Sequence, residues 1–102
     1  MRLSQVQRTA IVESVQESFG TEAKVWLFGS RVDDHKRGGD IDLLVEAKAN
    51  LAQATRQKLR ALGLIQRRIG EQKIDLVVTD GSPECETLLI TRNARAQGVL
   101  LE

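Results

Sequence analysis

The sequence predicts a small mixed α/β (α+β) domain, a mixed β-sheet packed with helices in the order α-β-β-α-β-α-β. Two observations predict it. Short β-branched runs at 23–28, 40–46 and 73–79 alternate with longer segments whose apolar residues recur every three or four positions. Residues that cap or stop helices, Ser4, Gly20, Asn50 and Gly70, stand at the joints between them. With 102 residues the chain forms one domain over 1–102, because a chain of this size buries only about two-thirds of its unfolded surface and cannot support two cores.

The first helix covers 4–19, with Val6, Ala10, Ile11, Val15 and Phe19 on one stripe, Ser4 as N-cap and Gly20 as the stop. The run 23–28, ending Trp26-Leu27-Phe28, reads as a buried strand with its aromatics in the core, and 31–39 as a polar loop closed by Gly38-Gly39. In the strand 40–46, Ile41, Leu43 and Val45 share one face, and Asp40 and Asp42 the other. Asn50 caps a helix over 51–69, whose apolar stripe is Leu51, Leu59, Leu62, Ile65 and Ile69. The strand 73–79 turns Asp75 away from Ile74, Leu76 and Val78. Asp80-Gly81-Ser82-Pro83 is a turn, 84–96 a last helix, and Val99-Leu100-Leu101 an added edge strand.

Composition narrows the function classes. The chain is 41% hydrophobic and 28% charged, with a formal charge of +1, so no global field draws it to DNA or an anionic membrane. Any anion binding must be local. Cys85 is the single cysteine, which excludes an internal disulfide or a cysteine-based zinc site and suits a reducing compartment. No apolar run approaches the roughly 18 residues of a membrane span, and the N-terminus carries no signal-peptide core. The protein reads as cytoplasmic.

The chemistry-bearing residues are acidic. Carboxylates at i and i+2 of a strand project from one face roughly 7 Å apart, near enough to share one magnesium ion or a pair of ions. Asp40 and Asp42 have that spacing, and Asp75 on a later strand would complete the cluster. Two like charges about 5 Å apart repel by about 3 kcal/mol at an effective dielectric near 20, so the three carboxylates ask for a cation. Magnesium couples one or two carboxylates to phosphates, and the expected ligand is a nucleotide triphosphate. Upstream, Gly29 permits close backbone approach, Ser30 offers a hydroxyl, and Arg31 with His35, Lys36 and Arg37 supplies positive charge. An EF-hand is excluded, because Leu43-Leu44-Val45 follow where glycine and more oxygen ligands would be needed. His35 reads as solvent-facing. The basic face of the long helix, Arg56, Lys58, Arg60, Arg67 and Arg68, reads as solvated before it reads as a dock for RNA or an acidic partner.

These residues resemble the polymerase-beta-like nucleotidyltransferase superfamily and its minimal (MNT) branch over essentially the whole chain. Leu27-Phe28-Gly29-Ser30-Arg31 is similar to that family's phosphate-binding signature, and Gly39-Asp40-Ile41-Asp42-Leu43-Leu44-Val45 to its metal-binding strand. Asp75 matches its third carboxylate. Gly39 stands where the family often has serine, which removes a hydroxyl but no charged group. The resemblance implies the polymerase-beta-like nucleotidyltransferase fold. It implies catalytic, metal-holding roles for Asp40, Asp42 and Asp75 with two Mg2+ ions, and nucleotide binding by Gly29, Ser30 and Arg31. The implied reaction moves AMP from ATP to a hydroxyl, Asp75 helping to deprotonate it. The chain ends soon after its third strand, so a partner is expected to supply the acceptor surface. In the minimal branch that partner is a small helical HEPN-type protein, and the implied role is the antitoxin of a type VII-like toxin–antitoxin pair, adenylylating a tyrosine of the toxin. The alternative is a non-catalytic antitoxin that neutralises its partner by complex formation. Nucleic acid is not favoured, no membrane is implied, and self-association stays open.

Overall fold

The computed structural model of the chain describes residues 3–28, 40–48, 51–70, 73–82 and 88–101, with backbone alone at Asp40, Leu51, Leu89, Ile90 and Asn93. Its elements are α1 (Gln5–Phe19), β1 (Lys24–Phe28), β2 (Asp40–Glu46), α2 (Leu51–Ile69), β3 (Lys73–Thr79), α3 (Leu89–Gln97) and β4 (Val99–Leu101). The predicted order α-β-β-α-β-α-β is observed, and β2, α2 and β3 have the predicted bounds. No helix among the described residues is long and apolar enough to cross a membrane.

Local signals set the ends of α1. The Ser4 hydroxyl accepts from the Gln7 amide at 3.1 Å while the Ser4 amide donates to the Gln7 side chain at 3.1 Å. Such a capping box satisfies two amides that the first turn leaves orphaned, and loss of the cap costs about 1 kcal/mol. Gly20 ends the helix at φ 107°, a conformation that a side chain would strain.

The last helix differs from expectation. It begins at Leu89, and Leu88 is extended at φ −64°, ψ 137°, so the predicted continuous helix 84–96 is interrupted there. Leu88 has no side-chain oxygen to cap the helix, and apolar spacing alone cannot locate an uncapped start. Residues 83–87, with Pro83 and Cys85, and the expected cap Asn50 lie outside the described residues.

The sheet has the order β3-β2-β1-β4. β1 runs antiparallel to both β2 and β4, while β2 and β3 are parallel and are joined through α2. One face carries Val25, Leu27, Ile41, Leu43, Val45 and Leu76, which pack with Ile11 and Val15 of α1 and Ala61 and Ile65 of α2. The opposite face has a smaller cluster, Phe28 and Leu44 under Ala94 of α3, with Trp26 and Val77 partly buried beside it. Phe28 is therefore core as expected, whereas Trp26 is only half-buried. Arg95 of α3 lies 4.5 Å above the Trp26 ring and donates to Glu46 at 2.7 Å.

Two stripe residues also depart from expectation. Val6 is 73% exposed and Leu59 65% exposed. A helix that rests on a sheet and on a neighbouring helix buries only the positions facing those surfaces, and here the small Ala10 and Ala61 take them. Arg68, expected on a solvated face, instead ties α2 to α1 through the Ser14 hydroxyl at 3.0 Å and Glu17 at 2.8 Å. With α1 and α2 on one face, the site residues stand on the other.

Candidate active site

Strand direction brings three ends together. β2 and β3 begin at the end of the sheet where β1 finishes, so Phe28 is the register partner of Asp42, and Asp42 of Asp75. Paired residues of neighbouring strands share a face. The result is a row, Phe28, Asp42 and Asp75, across three strands, on the face opposite Ile41, Leu43, Ile74 and Leu76. The backbones of Asp42 and Asp75 are separated by the ordinary strand spacing, roughly 4.8 Å. Asp42 is half-buried, and Asp75 is exposed on the edge strand β3.

Asp40 opens β2 at the register position opposite Lys73, and its side chain lies outside the described residues. Gly29, Ser30 and Arg31 follow Phe28 directly in the chain and, with His35, Lys36 and Arg37, lie outside them too. A cleft of about 420 Å³ lined by Phe19, Glu22, Glu46, Lys48 and Asp80 sits at the far end of the sheet, where β2 finishes, and takes no residue from the acidic row.

The family model for a nucleotidyltransferase domain matches residues 8–96, from α1 through the row to α3. The chain belongs to the nucleotidyltransferase domain family. A comparison with curated proteins finds no match. Nucleotidyltransferase domains generally use a nucleoside triphosphate and Mg2+, and the donor set of this nucleotidyltransferase domain suits that ion. Among the described residues no group of three His, Cys, Asp or Glu is placed to hold a metal. Asp42 and Asp75 form an adjacent pair of hard oxygen donors. Magnesium commonly takes one or two carboxylates and fills its octahedron with phosphate oxygens and water, so that pair meets the requirement.

Lys73 is a further charged residue on this face, outside the acidic pattern. It stands two residues before Asp75 on β3, hence on the same face, and across from Asp40. The period-two rule that groups Asp40 with Asp42 would have found it. This register position brings a positive charge to the face that carries the acidic row of this nucleotidyltransferase domain. Repulsion among the carboxylates therefore does not by itself demand a metal, whereas their hard oxygen donors and the chemistry of the family favour one.

Proposed function

We propose that this nucleotidyltransferase domain moves AMP from ATP to a hydroxyl, and that the acceptor is a tyrosine of a small helical HEPN-type toxin. It would then act as a protein adenylyltransferase and as the antitoxin of the pair. The observation that carries this reading is the register that sets Asp42 beside Asp75, next to the strand end leading into Gly29-Ser30. Position at the sheet edge supports a bulky acceptor, since Asp75 is exposed and β3 is the outermost strand among the described residues.

In the reaction the acceptor oxygen forms a bond to the α-phosphorus while the bond to the oxygen bridging the β-phosphorus breaks, and pyrophosphate leaves. Asp40 and Asp42 would hold two Mg2+ ions and Asp75 one of them. When bound, the ions stabilise charge on the attacking and leaving oxygens. Asp75 receives the proton of the hydroxyl, which a tyrosine with a pKa near about 10 does not lose unaided at neutral pH. By family resemblance Gly29, Ser30 and Arg31 bind the phosphates, with backbone amides, a hydroxyl and a guanidinium as donors.

The test is incubation of the full chain with its helical partner, labelled ATP and Mg2+, followed by mass spectrometry of the partner. A partner tyrosine carrying AMP is the expected result, and an unmodified partner refutes the acceptor. Asp42→Asn should lower transfer by about a thousandfold or more, since it removes a charge that positions the metal, while complex formation persists. Toxin neutralisation that survives Asp42→Asn undiminished would instead indicate an antitoxin acting by binding alone.

A further inference from the structure

Lys73 is the one basic side chain that the register places among the described carboxylates of the row. It lies on the same face of β3 as Asp75, diagonal to Asp42 and opposite Asp40, and it is exposed. Diagonal neighbours on a sheet are roughly 7–8 Å apart at the backbone, a distance that a flexible four-carbon stem spans. The ammonium can therefore reach the carboxylate of Asp42 or of Asp75 without any change of fold. A divalent ion bound by those two carboxylates would sit within several ångströms of it, and like charges at that range oppose one another. Phosphates arriving at the same place offer the ammonium a new partner.

We propose that Lys73 is the resident counter-ion of the acidic row. From its register position it offsets the charge of Asp42 and Asp75 in the metal-free protein and turns to a phosphate of the incoming nucleotide, so that metal and nucleotide bind cooperatively. Lys73 is on this view a positioning residue, and the inference rests on the reading that Asp42 and Asp75 receive the metal.

Mn2+ binding to the full chain, measured by titration calorimetry with and without a non-hydrolysable ATP analogue, tests it. Removing one positive charge about 7 Å from a divalent ion in a solvated site should tighten binding roughly three- to tenfold at low salt. Lys73→Gln is thus expected to bind Mn2+ that much more tightly than wild type without nucleotide, and to lose a similar factor from the tightening that the analogue causes. Lys73→Arg, which keeps the charge, should retain the wild-type affinity. Equal or weaker Mn2+ binding by Lys73→Gln, or an unchanged effect of the analogue, overturns the proposal while leaving the metal site standing. Wild-type protein that binds no Mn2+ in either condition overturns the metal reading itself.

Discussion

Replacing Asp75 by asparagine should stabilise the metal-free protein and erase its response to magnesium. The substitution is nearly isosteric and falls at an exposed position of an edge strand, so packing is left as it is. What it removes is a charge set beside Asp42 by the parallel register. At a separation of about 5 Å the repulsion amounts to about 3 kcal/mol at an effective dielectric of 20 and about 0.8 kcal/mol at that of water. Exposure of Asp75 selects the lower figure, and the attraction that Lys73 loses offsets part of it. A net gain of about half a kcal/mol remains, which in a domain of this size raises the melting temperature by about 2–4 °C. Circular dichroism melts in chelator and in millimolar Mg2+ give both readings. Wild type should gain stability with Mg2+ by mass action, and the variant should not. High salt should shrink the difference seen in chelator, because an exposed pair is screened. A variant that melts at or below wild type in chelator, or that still responds fully to Mg2+, refutes the pairing of these carboxylates as a metal site.

Three substitutions probe the scaffold. Ile65→Ala, at a fully buried position between α2 and the sheet, should cost about 2–5 kcal/mol in urea unfolding. Leu59→Ala on the same helix should stay within about 0.5 kcal/mol, because Leu59 is already in solvent, and a large loss there would mean that the face is covered. Gly98→Ala should destabilise by about 1–3 kcal/mol, since a Cβ at Gly98 would collide with the Ala94 carbonyl oxygen although its φ of −75° suits any residue. A neutral result in the same unfolding assay would show that the joint between α3 and β4 can shift.

Much of this architecture was legible because its signals are local. Alternation in Asp40-Ile41-Asp42-Leu43 and in Lys73-Ile74-Asp75-Leu76 defines two strands and their faces within a few residues. Ser4 and Gly20 mark the ends of α1 through bonds to its own turns. Features that depart from the local pattern share a different cause. Val6 and Leu59 obey the helical period yet face solvent, because burial depends on which neighbour lies across the stripe. Arg68 has the spacing of surface charge, yet Ser14 and Glu17, more than fifty positions earlier in the chain, lie beside it. Trp26 is half-covered because Arg95 lies over it. Leu88 is extended at a place where no capping side chain marks the helix start.

The sequence by itself determined which side chains can take part in the chemistry and which face of each strand they occupy, since alternation along an extended chain follows from covalent geometry. Tertiary structure alone decided that Asp42 stands beside Asp75 and that Lys73, which alternation already puts on the face of Asp75, comes opposite Asp40. Parallel pairing of β2 with β3 is made through a crossover that contains all of α2, and its register is set by how that helix packs against the sheet and α1. A shift of one residue would have turned Asp75 into the core and left the same sequence without its acidic row.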